Sequence, residues 1–528
     1  MADQTSSPPL TLYALRVEGL NFKWVLYDTH DLSASAGGSH LLEMVPSAVE
    51  AELTKNLMPQ QFEMVQSASS SAVYACCCTS IDMVALLKAL RRTFHGGNFV
   101  HLTVAVEAIK VADAGCEPGN LAGKIEMHHL EQLHAAIRYA QMTSPNVAVP
   151  SPNDERQPCA KDHLRPKIKD GKWSESVFVR REEGKAFRRV LATGEDSQKQ
   201  TIQTARTFDG LTSLKDPGDA RHLKLAVISI DGNGFGNLIA KHCTDGARLK
   251  QFSEGLAKRQ KGFEESLLND WLSKRGTLAE KDYFIDKLSD DKFAKDVETP
   301  KPEDADVRLL RLQRLVTAGD DALYVMPAWL AWEFLEWFFS ASWQVKLSGK
   351  HDPINLTFRV GLVICHHNAP IHRIRELAED LSKQARDDAK KAPGGEETEI
   401  KNPIAYEVLK SFDLIGPDLA GYRRRRVEVK LLVKEKLEVV SKLRPDEMLL
   451  DGKKLKKTLE ALHDLEEEMP TGKIKDPSQW PGRKKLDKPE NGEAKPDNEK
   501  AINAYHLSQL REFLPESKED VDGSLLPA

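Results

Sequence analysis

The alternation of apolar and polar positions predicts two units that share one order of elements. The first unit has the order strand, helix, hairpin, helix and strand, with predicted elements at Thr11–Val17, Leu41–Leu57, Phe62–Cys78, Asp82–Phe94 and Phe99–Ile109. Gly37 and Gly38 are interpreted as a break before the first helix, because glycine disfavours a helix interior. The serine-rich stretch Gln66–Ser71 is predicted to form the hairpin turn.

A second unit with the same order begins at Lys224–Asp231, a run rich in Val and Ile that predicts a buried strand. Two apolar arms around Gly-Asp-Asp predict a β-hairpin at Arg314–Pro327. The remaining predicted elements are the aromatic-rich helix Trp329–Phe339, the strand Ile354–Cys365 and the helix Ile371–Lys391. The recurrence predicts an α+β protein with two related domains in tandem.

Weaker patterning separates the two units. We predict a first domain over residues 1–111 and a second over 223–411, joined by an inter-domain region over 112–222 with one helix near Leu130–Ala140. The charged segment from about 247 to 306 has a helical composition and is interpreted as an insertion within the second domain.

Charged residues dominate the chain beyond the second unit. We predict a helical C-terminal region over 412–528, with a disordered linker at 468–500 because Pro, Lys, Glu and Gly prevail there. Arg423–Arg426 is a dense basic run, for which contact with RNA or a partner and a solvated turn are equally good interpretations.

Composition narrows the class of protein. The 75 Lys and Arg residues against 80 Asp and Glu residues give a net charge of -5, so any contact with nucleic acid must be local. The N-terminus lacks a signal-peptide pattern and no apolar run is long enough to cross a bilayer, so we expect a soluble, cytoplasmic protein without a membrane partner. The seven cysteines form no Cys-x-x-Cys pair, and Cys159 with His163 would supply two zinc ligands at most, so no zinc is expected.

Asp231 ends the predicted buried strand, which places its carboxylate at the edge of a sheet. The residues that follow it form a glycine-rich turn, Gly232, Asn233, Gly234, Phe235 and Gly236. Backbone N–H groups in such a turn, where it enters a helix, can cradle phosphate oxygens. An Asp-Gly pair is also ordinary turn chemistry, so this motif taken alone is weak.

Asp320 and Asp321 lie at the tip of the predicted hairpin, between two apolar arms. Adjacent carboxylates repel one another unless a positive charge compensates them, and a hard cation such as magnesium suits both carboxylates and triphosphates. A solvated turn is the alternative interpretation of the pair. If the hairpin neighbours the strand of Asp231, three carboxylates converge and can hold two ions for in-line attack on an α-phosphate.

This combination resembles the palm-domain polymerase/cyclase superfamily, which includes the GGDEF cyclases. It is most similar to the large subunit of type III CRISPR effector complexes. Ile228–Gly236 resembles that family's first metal-binding motif, and Ala318–Asp321 is similar to its Gly-Gly-Asp-Asp hairpin. Gly361–Arg386 resembles its strand and following helix, which carries a phosphate-contacting base. Asp28–Leu42 is similar to its first, degenerate palm.

The resemblance implies two tandem ferredoxin-like palm domains, with a helical insertion and a helical C-terminal region. It implies catalysis by Asp231, Asp320 and Asp321. Two Mg²⁺ or Mn²⁺ ions would be held by Asp231, Gly232, Asp320 and Asp321. The nucleotide would be contacted by Gly232, Asn233, Gly234, Phe235, Gly236, Gly319, Lys383 and Arg386.

The implied activity is that of a nucleotidyltransferase or cyclase that makes a cyclic nucleotide or cyclic oligonucleotide from nucleoside triphosphates, with ATP favoured. The implied setting is prokaryotic anti-phage defence. Two alternatives stay open: a subunit of an RNA-guided effector complex, with RNA and other CRISPR effector subunits as partners, and a nucleotide sensor without turnover. A homodimer is a further assembly to consider.

Some features depart from the family pattern. Ala318 replaces the first glycine of the hairpin, and Arg386 stands where the family has lysine. The first unit has no acid in Gln66–Ser71, so we expect that unit to complete the nucleotide pocket and not to hold metal. No HD nuclease segment is recognisable before it, so cleavage of single-stranded DNA is not expected.

Overall fold

The computed structural model describes residues 10–20, 28–29, 31–68, 70–99, 102–113, 120–143, 157–163, 165–168, 171–193, 200–205, 207–286, 308–349, 352–391 and 402–409. The predicted C-terminal helices, the linker at 468–500 and the Arg423–Arg426 run therefore lie outside the described residues. Among the residues that are described, every helix is too short or too polar to cross a membrane.

Helices and strands alternate along the described chain. The strands are β1 Thr11–Leu20, β2 Phe62–Ala68, β3 Ser71–Cys78, β4 Thr103–Asp113, β5 Val190–Thr193, β6 Gln200–Gln203, β7 Lys224–Gly232, β8 Phe284–Asp286, β9 Arg308–Leu310, β10 Gln313–Ala318, β11 Asp321–Pro327, β12 Gln344–Val345, β13 Ile354–Asn355, β14 Phe358–His366 and β15 Ile404–Val408. The α-helices are α1 Leu32–Glu43, α2 Val45–Asn56, α3 Ser80–Phe94, α4 Met127–Thr143, α5 Glu175–Arg189, α6 Phe208–Thr212, α7 Phe235–His242, α8 Gly246–Ser273, α9 Glu280–Tyr283, α10 Ala331–Ser340 and α11 Ile371–Lys391.

The first unit is an antiparallel sheet with the strand order β2-β3-β1-β4. Helices α1 and α2 connect β1 to β2, and α3 connects β3 to β4. One face of the sheet packs on α2 and α3, where Leu15 and Tyr74 meet Val49 and Leu86 in an apolar core. This arrangement follows from the alternation of β1, because every second side chain points to the same face.

The second unit repeats this topology. Its sheet has the order β10-β11-β7-β14-β15, in which the first four strands are antiparallel and β15 runs parallel to β14. The order β10-β11-β7-β14 corresponds strand for strand to β2-β3-β1-β4. The molecule is therefore a mixed α+β protein in which one strand order occurs twice.

Apolar layers cover both faces of the second sheet, which explains the continuous apolar run of β7. On one face, Trp271 of α8 and Trp332 and Phe334 of α10 lie in the core, as expected for the aromatic-rich helix. On the other face α11 packs closely, because Gly361 of β14 has no side chain. A Cβ atom there would lie 1.9 Å from the carbonyl oxygen of Ala378.

The interpretation of Gly37 and Gly38 as a break was wrong. Helix α1 runs through both glycines, and the chain bends instead at Met44, before α2. A Cβ atom on Gly37 would lie 1.7 Å from the carbonyl oxygen of Arg180, and one on Gly184 would lie 1.7 Å from that of Ser33. The glycines therefore mark the place where α1 and α5 cross with their backbones in contact.

Helix α5 was not predicted, and its side chains neutralise an acidic residue of the first unit. Arg180, which is 1% exposed, donates to both carboxylate oxygens of Asp28 at 3.0 and 2.9 Å. Arg165 donates to the same carboxylate at 2.6 Å. The region between the two units thus contains ordered structure that is bonded to the first of them.

Other predicted elements differ in their bounds. The strand expected at Ile354–Cys365 is divided into β13 and β14, and the strand expected at Phe99–Ile109 is β4, which begins later, at Thr103. Within the charged segment, Gly246–Ser273 forms helix α8 and Phe284–Asp286 forms strand β8. Cys76 and Cys78 are buried free thiols, whereas the intervening Cys77 is disulfide-bonded.

Candidate active site

The register of three neighbouring strands places charged residues in one row. Ile230 of β7 pairs with Ala322 of β11, so the next residue on each strand is Asp231 on β7 and Asp321 on β11. On its other side Asp231 pairs with Arg359 of β14. The structure therefore brings Asp321, Asp231 and Arg359 side by side across the end of the sheet.

Asp320 joins this row from the hairpin turn. Its carboxylate lies against Gly232, where an added Cβ atom would be 2.8 Å from Oδ2 and 2.9 Å from Cβ of Asp320. The preceding residue, Gly319, has a φ of +67°, a left-handed conformation that glycine adopts without strain. A glycine at each of these two positions thus permits the approach of the hairpin tip to the end of β7.

The three carboxylates affect one another electrostatically. Burial, and then the charge of Asp231, raises the pKa of Asp320 to about 6. The pKa of Asp321 is raised further, by burial first and then by the charges of Asp231 and Asp320 and a hydrogen bond with Asp231. Positive charge brought into this cluster would relieve the repulsion.

Arg359 supplies a positive charge to the cluster and was missed by sequence reasoning. Its Nη2 atom donates to Oδ2 of Asp231, and its side chain is 13% exposed. Its guanidinium acts against burial by lowering the pKa of Asp320 and Asp321. The available signal was an arginine near the start of a strand that is otherwise apolar, but the pattern did not show which residue it would face.

The turn after Asp231 divides into buried and open parts. Gly234 has a φ of +64° and precedes the first turn of α7. The backbone N–H of Asn233 donates to the carbonyl oxygen of Thr357 at 2.8 Å, while both polar atoms of its buried side-chain amide have no partner among the residues that the structure describes. Phe235 packs its ring on Phe252 and Phe358, so it anchors the turn in the core. A Cβ atom on Gly236 would meet nothing within 4 Å, so that side of the turn is open.

The two predicted basic residues lie on α11, where Lys383 is exposed and Arg386 is half-buried. Nζ of Lys383 donates to Asp380 at 2.9 Å, and Nε of Arg386 donates to Asp387 at 3.1 Å. Both side chains are thus engaged with acids of their own helix, and the structure does not join them to the carboxylates of the cluster. Helix α11 nevertheless packs on β7 and β14, the strands that carry Asp231 and Arg359.

The donor set fits a divalent cation. Carboxylate and carbonyl oxygens are the ligands that magnesium and manganese prefer, and the raised pKa values of Asp320 and Asp321 mark a place where positive charge is favoured. Within the described part of the chain, however, no three His, Cys, Asp or Glu side chains are already arranged as a metal cage.

The segment that carries this site has a recognised family. Residues 224–393 match the family model described as Cas10/Cmr2, second palm domain. This segment is therefore similar to a Cas10/Cmr2 second palm domain. The matched residues include Asp231, Asp320, Asp321 and Arg359. A search of curated protein sequences found no match.

Solved structures similar to the chain include crystal structures of the Csm1–Csm4 cassette. The complex with AMPPNP has 13% identity and a TM-score of 0.41, over 72% of this chain and 53% of that one. The complex with pppApA has 13% identity and a TM-score of 0.42, over 72% and 53%. The complex with cA4 has 15% identity and a TM-score of 0.40, over 87% and 62%. The chain thus spans less than two thirds of the length of these solved chains.

Proposed function

We propose that this protein is a metal-dependent nucleotidyltransferase or cyclase, which joins nucleoside triphosphates through 3′–5′ linkages and releases pyrophosphate. The product is a cyclic nucleotide or a cyclic oligonucleotide, and ATP is the favoured substrate. The observation that carries the proposal is the convergence of Asp231, Asp320 and Asp321 at one end of the sheet, inside a Cas10/Cmr2 palm domain.

In this proposal Asp231, Asp320, Asp321 and the backbone of Gly232 hold two Mg²⁺ or Mn²⁺ ions. Such ions, when bound, supply charge neutralisation at the transferring phosphate and lower the pKa of the attacking hydroxyl. Asp321 is either a third ligand or the base that takes the proton of the ribose hydroxyl.

The remaining predicted contacts belong to the phosphates of the nucleotide. The open side of the turn at Gly236 and the first backbone N–H groups of α7 are suited to phosphate oxygens. Lys383 and Arg386 have long side chains, and rotation away from Asp380 and Asp387 would let them bind phosphate. Arg386 would do so as a two-pronged donor and Lys383 as a point charge.

The first unit is proposed to be a degenerate palm that completes the nucleotide pocket. Its strand order is that of the second sheet. The Cβ atom of Ala68, on its hairpin, is 4.0 Å from the Cβ position of Gly319. The corresponding hairpin has no acid, and Asp28 is already neutralised by Arg165 and Arg180. These contacts support a pairing role for the first unit rather than a second metal site.

The proposed setting is a type III CRISPR effector complex in anti-phage defence, with RNA and other effector subunits as partners. The support is the family of residues 224–393. Purification of the full chain from its source would test this setting, because a subunit of such a complex should retain RNA and small partner proteins. A chain that purifies alone and free of RNA would favour an enzyme that acts by itself.

The activity is tested with the pure full chain, Mg²⁺ or Mn²⁺ and each labelled triphosphate in turn. We expect pyrophosphate release and a 3′–5′ linked product, identified by mass spectrometry. The double variant Asp320→Asn with Asp321→Asn should release none and should still melt cooperatively. If the wild-type chain binds a triphosphate but releases no pyrophosphate, it is a sensor and the proposed function is wrong.

A further inference from the structure

Helix α8 presents two different faces. Its apolar face, with Phe252 and Phe263, is buried in the core. A second face carries polar side chains at spacings of three, seven and four residues, which place them in one line along the helix. We call this line the α8 polar stripe, and it consists of Lys250, Ser253, Gln260 and Glu264.

The N-terminal half of the stripe bonds to the hairpin of the first unit. Nζ of Lys250 lies 2.8 Å from Oε1 of Glu63 on β2. Oγ of Ser253 donates to the carbonyl oxygen of Ser67 at 2.7 Å and accepts from the backbone N–H of Ser67 at 3.2 Å. One serine thus satisfies both backbone groups of a residue next to the tip of the β2–β3 hairpin.

The C-terminal half of the stripe bonds to the hairpin of the second unit. Nε2 of Gln260 donates to the carbonyl oxygen of Gly319, in the turn between β10 and β11. Glu264 accepts from Arg314 of β10 at 3.1 and 2.9 Å and from the hydroxyl of Tyr324 of β11 at 2.8 Å. A single helix face therefore holds two hairpin tips that belong to different sheets.

The bond from Gln260 bears directly on the geometry of Asp320. The carbonyl group of Gly319 and the N–H of Asp320 belong to the same planar peptide unit, so holding the oxygen orients the N–H as well. Because Gly319 has a φ of +67° and glycine has wide conformational freedom, the turn needs an outside contact to keep one orientation.

We propose that Gln260 is a positioning residue, which sets the carboxylate of Asp320 through the Gly319 peptide. Ser253, on the same stripe, bonds to the hairpin of the first unit, so the proposal includes that the position of the Asp320 carboxylate depends on the docking of that hairpin. The inference rests on the proposed function and deepens it. It identifies a part of the molecule, remote in sequence from the acidic turn, that determines the efficiency of the acidic site.

Folding of α8 does not depend on these polar bonds, because its apolar face supplies the buried contacts. Gln260→Met keeps the length of the side chain and removes the donor, so it should leave the melting temperature unchanged within about 2 °C. The matched control is Lys258→Met, an exposed position on the same helix outside the stripe.

The expected effect of Gln260→Met is a loss of about tenfold or more in kcat, with KM for the triphosphate changed by less than about threefold. A misplaced catalytic group slows the chemical step more than it weakens binding. Gln260→Lys, which retains an N–H donor of similar reach, should recover part of the loss. Lys258→Met should behave as the wild type.

Ser253→Ala tests the coupling to the first unit. We expect a smaller loss of kcat than for Gln260→Met. The double variant should lose less than the product of the two single losses, because both act on the same turn. If the loss of kcat in the double variant equals the product of the two single losses, the coupling between the two hairpins is overturned.

Binding of Mn²⁺ to the full chain, measured by electron paramagnetic resonance, gives a readout that does not require turnover. Gln260→Met should weaken the binding of Mn²⁺ several-fold. Asp320→Asn should weaken it more. If the wild type binds Mn²⁺ and Gln260→Met weakens that binding, the positioning role stands even where no triphosphate reacts. If the wild type is active and Gln260→Met matches it in kcat and in Mn²⁺ affinity, the positioning role is overturned and the proposed function remains.

Discussion

Arg359 and Asp231 stand opposite each other on the neighbouring strands β14 and β7, and the guanidinium donates to the carboxylate. The positive charge of Arg359 thus offsets part of the negative charge of the acidic cluster. The same guanidinium counteracts the rise in the pKa of Asp320 and of Asp321. Arg359 thus allows three carboxylates to share one end of a sheet.

Replacing Arg359 by Gln should destabilise the protein most where the carboxylates are ionised. Without the guanidinium their repulsion is uncompensated, so we expect the melting temperature in EDTA to fall by roughly 2–4 °C at pH 8 and by less at pH 5. Addition of Mn²⁺ should restore the melting temperature of this variant. Arg359→Lys, which retains the charge, is the control, and an equal loss in both variants would show that packing and not charge is responsible.

The raised pKa values predict how stability depends on pH without metal. A carboxyl group whose pKa is higher in the folded than in the unfolded protein holds its proton more tightly when folded, so stability declines as pH rises through that interval. For Asp320 the interval extends from 3.8 to about 6, and for Asp321 it extends higher. Thermal melts in EDTA between pH 4 and pH 8 should show this decline.

The variant Asp320→Asn with Asp321→Asn should flatten that pH dependence and be more stable than the wild type at pH 8. Mn²⁺ should raise the melting temperature of the wild type and leave that of the variant unchanged. A variant that is less stable at every pH would indicate that the two residues serve the turn and not a cation.

Gly232→Ala should impair the site without unfolding it. The new Cβ atom would lie 2.8 Å from Oδ2 of Asp320, so the carboxylate must move. We expect pyrophosphate release to fall by about a hundredfold, the effect of a displacement of about 1 Å. Gly262→Ala in α8 is the matched control, since its Cβ atom would meet nothing within 4 Å and the residue lies outside the site. Equal activities of the two variants would argue against a role for Asp320 beside Gly232.

Gly184→Ala should destabilise the contact between α1 and α5. Its Cβ atom would lie 1.7 Å from a backbone oxygen of Ser33, and neither helix backbone can yield locally. We expect a loss of about 3 kcal/mol or more in the free energy of unfolding, measured by urea denaturation. Gly262→Ala in α8, where the Cβ atom has open space, should instead stabilise the chain by roughly 0.5–1 kcal/mol.

Local patterns were sufficient to predict the elements that bear the acidic residues. The continuous apolar run of β7, and the two apolar arms that become β10 and β11, predicted the correct strands. They also placed Asp231 near the end of β7 and Asp320 in the turn between β10 and β11. The resemblance of these motifs to a palm-type family is confirmed by the match of residues 224–393. These features are short-range, because turn chemistry and hydrophobic runs act between residues close in the chain.

By itself, therefore, the sequence determined the repeated order of elements and the acidic residues that end the central strands. The tertiary structure alone decided that Arg359 faces Asp231, that Gly37 meets Gly184 at a helix crossing, and that Gln260 holds the Gly319 turn. Each of these relationships joins residues far apart in the chain. Strand register and helix crossing arise from packing across that distance, and periodicity along the chain carries no information about which residue will be the partner.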